Sequence, residues 1–213
     1  AEASAYTLDD VQLTDSGKRF RCIVSNALGA DTSDYATLTV TTNAPPLPVL
    51  SLTLPQGADQ YRGGDLLSFS GSATDEEAGM LPASALTWRI DFHHDTHTHP
   101  ALDPISGIAS GEFIIPEVGE TSDNVWYRIY LTARDNDGVT NTVYQEIYPL
   151  KTDVSLQTDP PGFEVMLDGQ PVMTPYTFTS VVNIIRTLEA SPAVNSGDAM
   201  YVFDSWSGAG AQR

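Results

Sequence analysis

Cysteine is almost absent: Cys22 stands alone in 213 residues, so no disulfide can form within the chain and packing and hydrogen bonds must hold the fold. Basic residues are also scarce. Ten Lys and Arg against 28 Asp and Glu leave a net charge of -18, which repels a phosphate backbone or an anionic bilayer and excludes nucleic acid as a partner. No run of 18 apolar residues occurs, so no membrane insertion is expected. Ala1 to Leu8 lacks the basic start and apolar stretch of a signal peptide, and a secreted parent would carry this chain as an internal or processed piece. Helical periodicity is missing too. Apolar residues alternate nearly everywhere, with Gly, Pro, Asn and Asp at intervals of roughly ten residues, which is the rhythm of all-β sandwiches.

What is present is a folded composition: 41% hydrophobic residues with ordinary aromatics bury a core that a disordered acidic chain could not. The length suits modules of roughly 50–110 residues rather than one sandwich. Few lysines with abundant Thr, Ser, Asp and Gly suggest a secreted or cell-surface β-protein.

The densest chemistry lies in Trp88 to Pro100, where all four histidines (His93, His94, His97 and His99) fall within seven positions. Trp88, Ile90 and Phe92 alternate with Arg89, Asp91 and His93, the period-2 pattern of a half-buried strand. The second half is polar and ends at a proline, so a core strand running into an exposed loop is expected. Neutral imidazole suits zinc or copper, which take N and O donors at about 2.0–2.2 Å. In extended backbone, His97 and His99 point the same way, as do Asp91 and His93. One turn would bring the pairs together, making His93, His94, His97, His99, Asp91 and Asp95 the candidate ligands of a divalent transition metal. The same rings could instead sense pH, or merely hydrogen-bond one another and the backbone. No H-E-x-x-H and no nearby thiolate accompany them.

Taken in order, residues 1–43 read as three strands, Tyr6 to Val11, Lys18 to Ser25 and Asp34 to Val40. Asp15-Ser16-Gly17-Lys18-Arg19-Phe20-Arg21-Cys22 resembles the immunoglobulin D-x-G-x-Y-x-C signature, with one extra residue and Phe20 in place of the corner tyrosine. The resemblance implies the C-terminal half of an Ig-like domain, completed by the next module or by another chain. Residues 44–48, Ala-Pro-Pro-Leu-Pro, are an extended linker. Residues 49–150 carry the strand signals of a complete sandwich, with Trp88 as its core tryptophan. Adjacent Trp126 and Tyr127 must face opposite ways, so one of them is outward and is a candidate for contact with a sugar ring. Two acidic loops, around Asp75 and Glu77 and around Asp135 and Asp137, set oxygen donors beside a glycine. Calcium takes six to eight oxygens at about 2.3–2.6 Å, and Asp-Gly turns form equally well without it.

Tyr61-Arg62-Gly63-Gly64-Asp65, Phe69 to Asp75, Leu81 to Trp88, Asp91 to Pro100 and Trp126 to Asp135 together resemble the Ig-like, PKD-like module downstream of secreted bacterial pyrroloquinoline-quinone-type sugar (sorbosone) dehydrogenases. The resemblance implies an extracellular, carbohydrate-active multidomain parent, and it carries over no catalytic residue. In residues 151–213, Asp159-Pro160-Pro161-Gly162, Asp168-Gly169 and Thr174-Pro175 resemble a PEGA-type small β-domain, and Phe203 to Trp206 resembles a closing F-x-x-W strand.

The expected fold is therefore all-β: tandem Ig-like β-sandwich modules with a small C-terminal β-domain. The expected function is non-catalytic binding of carbohydrate, or of a neighbouring domain of the parent protein, through the histidine segment. The alternative is a structural spacer. A metal-dependent enzyme is the weaker reading: it would use an open His-ligated ion with Asp91 or Asp95 as base, but no cofactor motif, G-x-S-x-G or phosphate loop supports it.

Overall fold

The computed structural model describes residues 5–55 and 60–208. The fold is all-β, and among the described residues helix is confined to short 3-10 turns such as Leu13–Asp15 and Ala83–Ala85. None of these is long or apolar enough to cross a membrane.

Near the N-terminus, strands β1 (Arg19–Phe20), β2 (Ile23–Asn26), β3 (Gly29–Thr32) and β4 (Ala36–Thr37) form two small ladders, β1 with β4 and β2 with β3. The run expected as one strand from Lys18 to Ser25 is thus divided. At Cys22 the chain leaves one partner for the other, held by the Cys22 N–H donating to Ser33 Oγ and the Ser33 N–H donating to the Cys22 carbonyl, both at 2.9 Å. Tyr6 to Val11 is not a strand: alternation alone makes none unless a neighbour takes the backbone N–H and C=O groups. No residue from 5 to 43 is buried, and Leu28 is 97% exposed.

The next nine strands make a β-sandwich: β5 (Leu47–Thr53), β6 (Gln60–Tyr61), β7 (Leu66–Asp75), β8 (Gly79–Met80), β9 (Leu86–His94), β10 (His97–Ser106), β11 (Ser110–Ile114), β12 (Val125–Arg134) and β13 (Thr140–Pro149). One sheet runs β10-β9-β12-β13-β6, the other β11-β7-β5 with β8 on β7. Period-2 alternation places Trp88 and Ile90 of β9 and Ile129 and Leu131 of β12 inward, all fully buried against Leu67 and Phe69 of β7. Each such side chain contributes roughly 1.5–3 kcal/mol by leaving water. Trp88 is fixed further: its indole Nε1 donates to the Ile108 carbonyl at 3.0 Å, and its ring lies 4.7 Å from that of Phe69. Gly71 leaves room for this packing, since a Cβ there would come within 2.5 Å of Leu131 Cδ2 and 3.0 Å of the Trp88 ring.

The segment expected as an exposed histidine loop is instead a hairpin. β10 pairs antiparallel with β9, and register shifts fall between Pro100 and Leu102 and between Leu102 and Ile105. Pro100 and Pro104 argue against a central strand, but β10 is an edge, where missing N–H donors and bulges are tolerated. Asp95 and Thr96 make the turn, with Asp95 at φ 46°, a left-handed conformation that Asp adopts readily.

The remaining strands are β14 (Lys151–Leu156), β15 (Glu164–Leu167), β16 (Gln170–Met173), β17 (Tyr176–Val181), β18 (Leu188–Ala190), β19 (Ala193–Ser196) and β20 (Ala199–Val202), paired β14-β17, β16-β15-β18 and β19-β20. Asp168-Gly169 is the expected two-residue hairpin, with φ of 50° and 76°. Phe203 to Trp206 is not a strand. This region joins the sandwich through backbone: the Gly63 N–H donates to the Val182 carbonyl, and the Ile185 N–H donates to Glu117. Val181 and Ile184 add side chains to the sandwich core.

Candidate functional site

The β9–β12 register decides which sequence-predicted groups meet. His93 lies opposite Trp126 and Thr98, whereas His94 lies opposite Val125 and His97. Neighbours across a ladder share a face, so Asp91 and His93 are on the outward face of the sheet. His94, His97 and His99 share the inward face with Phe92 and Tyr127, where the sandwich opens at its end. The six proposed metal ligands therefore do not converge, because the sheet lies between Asp91 with His93 and the other three histidines. Among the described residues no three or more His, Cys, Asp or Glu side chains form a group that could hold a metal ion as they stand.

Each remaining carboxylate has a local task. Asp91 Oδ2 pairs with Arg89 at 3.1 Å. Asp95 Oδ1 accepts from Asn124 Nδ2 at 2.9 Å, while its backbone N–H donates to the Asn124 carbonyl, so the hairpin turn is tied to the chain entering β12.

On the outward face, the His93 and Trp126 rings stack at 5.0 Å and 11°. Trp126 Nε1 and His93 Nε2 are buried without a hydrogen-bond partner in the protein, so ring contact holds this pair together. His93 Nδ1 and Thr98 Oγ1 lie 3.1 Å apart. Burial, and then the nearby Arg128 guanidinium, hold the His93 pKa below its usual value. Next along the face, Glu146 Oε1 accepts from Arg128 Nε at 2.8 Å, and Glu146 Oε2 accepts the Tyr148 hydroxyl at 2.6 Å. Arg128 also lies over the Tyr144 ring at 4.7 Å. The Tyr148 hydroxyl, and then Arg128, hold the Glu146 carboxyl below the ordinary glutamate range.

Trp126 forms the wall of a cleft of about 530 Å³ that also takes in Gln60, Asn124, Glu146, Tyr148 and Lys151. Of the adjacent aromatic pair, Trp126 is thus the outward member. Tyr127 is 5% exposed, and burial pushes its hydroxyl up to about 12, so it stays neutral within the core. The sequence reading missed Glu146 and Tyr148. Alternation along Thr140 to Tyr148 puts both outward, but only the β12–β13 register sets them beside Arg128.

On the inward face, a second cavity of about 470 Å³ is walled by apolar groups including Phe92, Phe113, Ile115 and Tyr127, with His94, His99 and Glu120 among its lining residues. His94 Nε2 faces His99 Nε2 at 3.0 Å, and His94 Nδ1 is 3.5 Å from Glu120 Oε2. The His94 ring also stacks on those of His99 and His97, at 5.1 and 5.4 Å. Glu120 belongs to an irregular stretch, and no feature of the sequence pointed to it.

The two acidic loops lie at the linker end. Asp75 Oδ1 accepts the N–H groups of Glu77 and Ala78, and Asp135 Oδ1 accepts those of Asp137 and Val139. Asp135 Oδ2 accepts from Asn43 Nδ2 at 2.8 Å, and Glu77 Oε1 accepts the Ala44 N–H at 3.2 Å. Burial raises the Asp135 pKa, but the bond from Asn43 and those from the backbone outweigh it and hold it below the usual carboxylate value. Asp75 Oδ1, Glu77 and Asp135 thus act as turn caps and linker anchors, while Asp75 Oδ2 is buried without a hydrogen-bond partner in the protein.

Comparison with protein-family models, with curated proteins and with solved structures finds no match for this chain.

Proposed function

We propose that this chain is a non-catalytic, extracellular accessory region of a secreted carbohydrate-active protein, and that its sandwich, of Ig-like type, binds saccharide in the Trp126 cleft. The single observation that carries this reading is the placing of one outward indole at the wall of a cleft rimmed by both hydrogen-bond donors and acceptors. A sugar presents apolar C–H faces and a ring of hydroxyls. Trp126 offers a surface to the first, while Glu146, Tyr148, Gln60, Asn124 and Lys151 offer partners to the second. The Arg128–Glu146–Tyr148 network holds the carboxylate ionised and fixed in place, so it accepts rather than donates.

The test is a titration of neutral oligosaccharides, chosen by array screening, followed by calorimetry. Wild type binds at least one of them, and Trp126→Ala loses at least tenfold in affinity while keeping its thermal unfolding. Unchanged affinity in Trp126→Ala would overturn the assignment of the cleft.

A second reading, a structural spacer, is favoured by the anchored linker. Asn43 on Asp135, Ala44 on Glu77 and Asn141 Nδ2 donating to the Pro46 carbonyl clamp residues 43–46 to the sandwich, as a spacer that transmits orientation requires. Absence of binding across the array would leave this reading.

A further inference from the structure

The geometry points to a divalent transition-metal site of the zinc and copper class at the β9–β10 hairpin, with His94 and His99 as its founding ligands, His97 as the third, and Glu120 behind His94. This goes beyond the saccharide reading and does not depend on it. His94 and His99 already bring two imidazole nitrogens to 3.0 Å. Two nitrogens each about 2.05 Å from a tetrahedral ion stand about 3.3 Å apart, so the pair needs to open by only a few tenths of an ångström to admit one.

Glu120 is placed to favour the His94 tautomer protonated at Nδ1. Its Oε2 faces His94 Nδ1 at 3.5 Å, and its Oε1 accepts the Ser122 N–H at 2.8 Å, which holds the carboxylate there. A proton kept on Nδ1 leaves the His94 Nε2 lone pair free, facing His99 Nε2, where an ion would enter. This is the carboxylate–histidine arrangement that stands behind metal-bound imidazoles.

His97 lies across the ladder from His94, and its Nδ1 is 3.5 Å from Thr96 Oγ1. Its Nε2 is then the nitrogen that a side-chain rotation brings to the ion. No thiolate competes, and an all-imidazole set suits zinc or copper rather than calcium or magnesium. His93, Asp91 and Asp95 have no part in it: the first two are on the far side of the sheet, and the third holds Asn124. With the ion bound, the two strands of an edge hairpin are cross-linked beside the mouth of the apolar cavity.

The experiment titrates zinc chloride and, separately, copper chloride into chelator-treated, tag-free protein by calorimetry, with thermal unfolding recorded in parallel. One ion of at least one metal binds per chain and raises the unfolding temperature. His94→Ala and His99→Ala each weaken binding at least a hundredfold, Glu120→Gln weakens it about tenfold to a hundredfold, and His93→Ala leaves it unchanged. Circular dichroism and the ion-free unfolding temperature establish that each variant is folded. X-ray absorption of the loaded wild type, which needs no variant, shows imidazole scattering from two or three rings. The proposal is overturned if neither metal binds, if binding survives the His94→Ala, His99→Ala double variant, if His93→Ala abolishes it, or if imidazole scattering is missing.

Discussion

Gly71→Ala tests the packing between the sheets. Two effects of opposite sign compete. Gly71 has an ordinary backbone conformation, so alanine there restricts the unfolded chain and would by itself stabilise by about 0.4–1 kcal/mol. The added methyl, however, meets Leu131 Cδ2 at 2.5 Å, the Val49 carbonyl oxygen at 2.8 Å and the Trp88 ring at 3.0 Å. Leu131 alone could yield by changing rotamer. Val49 is backbone of the paired strand β5, and Trp88 is held by its bond to Ile108, so neither moves cheaply.

Overpacking a tight core costs about 1–3 kcal/mol, and after the opposing entropic gain a net loss of up to about 2.5 kcal/mol, centred on about 1 kcal/mol, is expected. For a sandwich spanning 47–149, the central value lowers the midpoint of unfolding by roughly 4–8 °C. Differential scanning calorimetry reads this directly. A raised midpoint would refute the packing of Trp88 and Leu131 against Gly71.

Glu146 contributes to the acid limb of stability. Its folded pKa is depressed, so its contribution is complete above the unfolded value near 4.5 and is lost as the pH falls through the lower folded value. Glu146→Gln should therefore be less stable than wild type at pH 7, and the difference should shrink in urea melts below pH 4.5. A difference that grows as the pH falls below 4.5 would show that Glu146 is not ionised against Arg128 and Tyr148. Gly63→Ala should loosen the C-terminal region from the sandwich, because a Cβ there would fall 2.7 Å from the Asn183 carbonyl oxygen. Limited proteolysis or hydrogen exchange across 181–185 should speed up while exchange in β9 and β12 stays as in wild type. Unaltered exchange at Val182 and Ile185 would count against that junction.

The sequence by itself determined the all-β class, the sandwich strands carrying Trp88 and Trp126, and the Asp168-Gly169 hairpin, because these follow from period-2 alternation and from turn residues that act locally. It also determined that one of Trp126 and Tyr127 faces outward, since consecutive strand residues point opposite ways. Which one does so was decided by tertiary structure: Tyr127 packs beneath Phe92 and Phe113, and Trp126 stacks on His93. Tertiary structure likewise turned the expected histidine loop into an edge strand. Two prolines are tolerated there only because one side of β10 needs no partner, a circumstance invisible along the chain. That pairing divided the histidines between two faces, while the β12–β13 register brought in Glu146 and Tyr148 and loop packing brought in Glu120, none of them near the site residues in sequence.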